Sequence, residues 1–148
     1  LRPPLGLLEA YLNLSDELFC EAGYDGYLRW VNPAWERATG VPESEAVGRS
    51  PEQIFAPEVA VQIEAHRRRC IEQGIAITVE EDIVFPAGRR RWQTHLVPVG
   101  GGRVAMFARD ISARKDAENA LRDAEDQAAK VIADNISQRL ASFFIAGT

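Results

Sequence analysis

Several things are scarce in this 148-residue sequence, and each scarcity closes a class of function. Cysteine occurs twice, as Cys20 and Cys70, fifty residues apart, with no C-x-x-C pair and no cluster of histidines beside them. That pattern signals neither a zinc site nor a disulfide framework, and two free thiols suit a reducing compartment. No apolar run approaches the roughly 18 to 20 residues that span a bilayer, and no basic-then-apolar signal segment opens the chain, so a cytoplasmic domain without membrane contact is expected. Positive charge is also short. The net charge is −5, and the basic stretches His66-Arg67-Arg68-Arg69 and Arg89-Arg90-Arg91 are brief and embedded in periodic segments, which argues against nucleic-acid binding. No nucleophile, base and metal set stands at suitable spacing, so neither a catalytic residue nor a metal ligand is assigned.

What is present is material for one core, since 46% of the residues are hydrophobic. The chain starts at Leu1 rather than Met, which we read as a piece of a longer protein. Leu5, Leu8 and Leu12 stand at helical spacing after Pro3-Pro4, which bars an earlier start, so residues 1–14 are expected to form a flanking amphipathic helix. Leu18-Phe19-Cys20 and Tyr27 to Val31 are β-prone runs around Asp25-Gly26, a hairpin signal. Asn32-Pro33 opens a brief helix that Gly40 ends. Short helical turns follow at Pro42 to Glu45 and Pro51 to Phe55, then a longer helix from about Pro57 to Gln73 closed by Gly74.

Three strands are expected over Ala76 to Phe85, Arg89 to Val99 and Arg103 to Arg109. In the second, Trp92, Thr94, Leu96 and Pro98 share one face. In the third, Val104, Met106 and Ala108 alternate with Ala105 and Phe107, so both faces are apolar and the outer one needs a cover. Either terminal helix could supply it. Inner phases select Phe19, Leu28, Trp30 and Trp35, then Ile54, Ile63 and Ile77, then Trp92, Leu96, Met106 and Ala108 for a cleft or core. For any one of these, plain packing outweighs ligand contact.

Beyond Ser112 the composition shifts to Ala, Glu, Asp, Arg and Lys. Ala117, Leu121, Ala124, Ala128 and Val131 are spaced alternately four and three residues apart, a heptad-like seam that predicts pairing of two chains. At Asn135 the seam either carries a polar register-setting residue or slips to Ile132, Ile136, Leu140 and Phe143. The expected division is a flank (1–14), a core (15–111), a long helix (112–142) and an apolar tail of unassigned origin (143–148).

The order of two strands, short helices, one longer helix, three strands and a helix resembles the PAS family, an α+β fold with a five-stranded antiparallel sheet and helices on one face. The residues agree. Asp25-Gly26-Tyr27-Leu28-Arg29-Trp30-Val31-Asn32-Pro33-Ala34 resembles the family's hairpin-to-helix segment, followed by Thr39-Gly40 and Glu45-Ala46-Val47-Gly48-Arg49. Ala87-Gly88 before Arg91-Trp92, Val97-Pro98-Val99, and above all Arg109-Asp110-Ile111-Ser112-Ala113-Arg114-Lys115-Asp116-Ala117-Glu118 resemble its C-terminal half and the junction with a signalling helix. Gly23 departs from the acidic residue that many members carry there.

The resemblance implies a sensory domain that binds heme, flavin, a small acid or nothing in its cleft, and a homodimer that signals through its terminal helices to a covalently linked kinase or cyclase. A ligand-free dimerisation module is the competing reading and predicts a cleft collapsed onto Trp35, Trp92 and Met106. No cofactor is assigned. His66 lies nearly one helical turn beyond the position a heme ligand would take, where Gln62 stands instead, and neither cysteine sits in the motif that forms a flavin adduct. Asn32 has two readings, a helix cap and a polar group aimed into the cleft. Asp110, with Ile111 and Ser112, is placed to act as the hinge into the signalling helix, and Ala105 and Phe107 to pair at the dimer interface with the helices. Glu80, Glu81 and Asp82 alternate faces along a strand and read as solvated, as does His95.

Overall fold

The chemistry of its turns fixes the first hairpin. Asp25 accepts the Tyr27 N–H on its carboxylate (3.1 Å), the Gly26 N–H reaches the Gly23 carbonyl, and Gly26 takes φ +81°, a backbone that glycine adopts without strain. This joins β1 (Leu18–Ala22) to β2 (Leu28–Val31). The computed structural model describes residues 5–147. Pro3 and Pro4, the rest of the flank before Leu5, the Leu5 side chain and Thr148 of the tail lie outside the described residues.

The chain forms α1 (Leu5–Leu14), the hairpin, then α2 (Pro33–Thr39), α3 (Glu43–Ala46), α4 (Pro51–Ile54) and α5 (Pro57–Gln73). Next come β3 (Ile77–Phe85), β4 (Gly88–Gly100), β5 (Arg103–Asp110) and α6 (Ser112–Ala146). The strands make one antiparallel sheet in the order β2-β1-β5-β4-β3, and α5 packs across β3, β4 and β5. Alternation along each strand turns Leu18, Cys20 and Ala22, then Leu96, then Val104 and Met106, into one buried face.

Asn32 locks the N-terminal half. Its side chain is fully buried, and both of its ends are used. Oδ1 accepts the N–H groups of Phe19 (2.9 Å) and Trp35 (3.0 Å), while Nδ2 donates to the carbonyls of Leu12 and Glu17, both at 2.9 Å. One residue thus caps α2 and ties it to β1 and to the last turn of α1.

The described chain separates into two compact units, one ending at Ile111 and the other beginning at Ser112. The second unit is α6, with no buried residue along its 35 positions. It runs through Phe143, Phe144 and Ile145, four residues past the boundary expected at residue 142, because no helix breaker intervenes before Gly147. No helix among the described residues is long and apolar enough to cross a membrane.

Candidate functional site

Between α5 and the inner sheet face lies a cavity of about 70 Å³, room for a few water molecules or a small organic molecule. An aromatic chain runs through its wall. Trp35 and Phe55 have ring centroids 5.9 Å apart, Phe55 and Phe85 5.5 Å, and Phe85 and Trp92 6.0 Å. Offset and edge contacts of this kind hold rings more firmly than area alone and keep the wall in shape. Leu18, Cys20, Leu28, Ile63, Leu96, Met106 and Ala108 supply most of the remaining apolar lining.

The polar groups fall into two sets. On α5, Gln62 Nε2 donates to Glu81 Oε2 (2.6 Å), and His66 Nε2 lies 2.6 Å from the same oxygen. The next residue, Arg67, is 9% exposed and grips Glu64 with both arms of its fork, Nε to Oε2 at 2.8 Å and Nη2 to Oε1 at 2.6 Å. The guanidinium holds the Glu64 carboxyl below the usual carboxylate range, chiefly through these hydrogen bonds. A Cβ on Gly26 would come within 3.2 Å of the Arg67 guanidinium, so the hairpin turn and the arginine approach closely only because that residue is glycine. The second set is on β4, where Trp92 Nε1 and Thr94 Oγ1 are buried and have no hydrogen-bond partner among the described residues. Both residues line the cavity.

Of the residues selected from sequence, Leu28, Trp35, Ile63, His66, Trp92, Leu96, Met106 and Ala108 line this cavity. Ile77 is buried in the core opposite Leu96, and Ile54 packs against the core while its neighbour Phe55 takes the place in the wall. Asn32 does not point into the cavity, because all its hydrogen-bonding capacity goes to backbone.

Phe19 and Trp30 are corrected to the opposite face of the sheet. With Leu18, Cys20 and Ala22 turned inward, strand alternation puts Phe19 outward, where it stacks on Phe107 (5.3 Å) and meets Trp30 edge-on (5.5 Å). His95, expected in solvent, is half-buried in the same outer cluster, 5.6 Å from Phe107 and 2.8 Å by Nδ1 from Thr78 Oγ1.

Glu81 is a second correction. Only Glu80 and Asp82 face solvent, whereas Glu81 shares the inward phase of Ile83 and Phe85, and its side chain is 13% exposed. Near the junction, Asp110 Oδ2 stands 4.0 Å from Arg90 Nε, and the buried Ile111 donates its N–H to the Arg91 carbonyl (2.8 Å).

Residues 12–116 match the PAS fold family. The chain belongs to that family. It is 28% identical over 120 residues to the aerobic respiration control sensor protein ArcB of Escherichia coli K12, a match covering 77% of this chain and 15% of that protein. Among solved structures, an RNA-binding light-oxygen-voltage receptor superposes with a TM-score of 0.64 at 22% identity, over 84% of this chain and 41% of that one. The PAS domain of the Cronobacter turicensis RpfR quorum-sensing receptor, in complex with BDSF, superposes with a TM-score of 0.57 at 20% identity, over 66% of this chain and 95% of that one.

PAS domains that hold heme or flavin set a test for this cleft. The residues present do not fit either group. His66 Nε2 is engaged by Glu81 Oε2 at 2.6 Å rather than free to ligate an iron. Cys20 lies in the wall, but burial pushes its thiol up to about 12, so it stays protonated and a poor nucleophile.

Proposed function

We propose that this PAS domain is the sensory part of a bacterial-type signal transduction protein. It binds a small organic ligand in the cleft and passes the bound state through paired α6 helices to an output domain such as a histidine kinase or diguanylate cyclase. The observation that carries this reading is the cleft itself. A cavity whose mostly apolar lining includes Trp35, Trp92 and Met106 supports it.

The domain is regulatory rather than catalytic. Pairing of two chains is supported by the exposed seam of α6, where Leu121 is 62% and Val131 47% exposed, and by the half-buried outer cluster around Phe107, with Ala105 beside it. Asp110, Ile111 and Ser112 join the two units and serve as the hinge. Ligand binding biases one of two pairings of the helix, and a coiled coil carries that bias lengthwise without chemistry.

Native mass spectrometry of the domain purified from cells, read alongside its absorption spectrum, tests the reading. A discrete extra mass without a Soret or flavin band is expected. A bare-mass protein that no small molecule stabilises in a thermal-shift screen would leave it as a dimerisation module.

A further inference from the structure

We infer that α6 pairs with a second copy of this chain in parallel and in register, and that its pairing face turns by one residue between Val131 and Ile132. This rests on the pairing of α6 proposed above and deepens it by naming the faces that meet. Up to Val131 the seam advances through Ala117, Leu121, Ala124 and Ala128 in alternate steps of four and three residues. Continued at those steps, it would bring Asn135, Gln138 and Ser142 into the interface and leave Ile132, Ile136, Leu140 and Phe143 in water. Those four are 59%, 53%, 53% and 72% exposed in the single chain. Burying large apolar side chains stabilises a pair, whereas amides and a hydroxyl without partners in its interface oppose it. The apolar face therefore takes over. It begins one residue later than the seam, so on a helix that runs unbroken from Ser112 to Ala146 it is turned by about 100°. Its steps of four, four and three residues also oppose the left-handed winding that the first seam imposes.

Charge favours one orientation. Glu118 and Glu125 flank the seam on one side of the helix, and Ala113 and Ala120 on the other. In a parallel, in-register pair each glutamate stands beside an alanine of the second copy. An antiparallel pair sets like flank against like flank, and the glutamates of the two copies meet. Arg114 at 3.7 Å and Lys115 at 3.4 Å offset Glu118, so the repulsion falls mainly on Glu125.

Single cysteines in the intact chain, Ala128→Cys, Asn135→Cys and Ile136→Cys, oxidised with copper phenanthroline, test both parts. A residue forms a disulfide with its own copy at more than one position only in a parallel, in-register pair. All three positions are exposed in the single chain, and Cys20 and Cys70 are buried and stay in place. Ala128→Cys and Ile136→Cys should cross-link at least about fivefold faster than Asn135→Cys. In sedimentation, Ile136→Asp should weaken association at least about tenfold and Asn135→Asp less than about twofold. Faster cross-linking at position 135 than at 136 would overturn the turned face and leave the pairing standing. Cross-linking at one position alone would overturn the parallel orientation. No cross-linking anywhere, from a chain that sediments as a monomer at high concentration, would remove the pairing and the inference together.

Discussion

The two long helices of this protein obey different rules. α5 spans 17 residues and buries Val59, Ala60, Arg67 and Cys70, whereas α6 spans 35 and buries none. α5 stops at Gly74 in a left-handed C-cap and gains its stability from packing on the sheet. α6 is rich in strong helix formers but carries Leu121, Val131, Ile132, Ile136 and Leu140 exposed along its length. In the first unit sequence is translated into fixed tertiary contacts. In the second it specifies a helix whose apolar residues stay exposed, the stripe that we propose pairs with a second copy.

The comparison breaks most visibly at Asn32. Asn32→Ala removes four hydrogen bonds and strands two buried N–H groups, so chemical unfolding should show a loss of about 4 kcal/mol. Leu96 is 1% exposed at the centre of the sheet, and Leu96→Ala should cost about 3 kcal/mol. Leu121→Ala, with the same atoms removed, should change unfolding of a dilute sample by less than about 0.5 kcal/mol. Its effect belongs in sedimentation at high concentration, where the wild type should associate and the variant less so. Equal costs at Leu96 and Leu121 in dilute solution would erase the distinction between the two units.

Burial also predicts an alkaline weakness confined to the first unit. The Cys20 thiol is raised from 9.0 to about 12 because its thiolate would be desolvated. The folded form therefore retains its proton where the unfolded form loses it. The stability contribution is full below pH 9 and declines through the window up to about 12, reaching a loss of about 2 kcal/mol near pH 10.5. Cys20→Ala should flatten that limb in a pH series of unfolding midpoints, at the cost of a modest loss at neutral pH.

How much of this was legible in the residues depends on how many alternatives each pattern left. The hairpin followed from Asp25-Gly26, the cap of α2 from Asn32-Pro33, and the inner face of β4 from Trp92, Thr94 and Leu96, because each pattern admits one phase. β1 did not, since Leu18, Phe19 and Cys20 are apolar on both phases and only Glu21, sharing Phe19's side, shows which face is wet. Glu81 escaped because an acidic run looks solvated until Gln62 and His66 are brought across from α5. The cavity was invisible for a related reason. Its volume depends on how Phe55, from a single short turn, meets Trp35 and Phe85 from elements far apart in sequence.

The finest comparison sets two ion pairs side by side. On α5, Glu64 meets Arg67 at three-residue spacing, with side chains 23% and 10% exposed, and Arg68 adds a contact at 3.2 Å. On α6, Glu118 meets Arg114 at 3.7 Å and Lys115 at 3.4 Å, with Glu118 and Arg114 both 49% exposed. Glu64→Gln leaves a mostly buried guanidinium with a neutral partner and should cost about 1 kcal/mol, whereas Glu118→Gln should stay within about 0.3 kcal/mol of wild type. Acid sharpens the contrast. Because Arg67 lowers the Glu64 pKa in the folded state, the contribution is present above the ordinary carboxylate range. It is lost as pH falls through the lowered folded value. Glu64→Gln should therefore narrow its gap from wild type as the solution is acidified. A gap that stays constant down the acid limb would mean that Glu64 acts by packing rather than by charge.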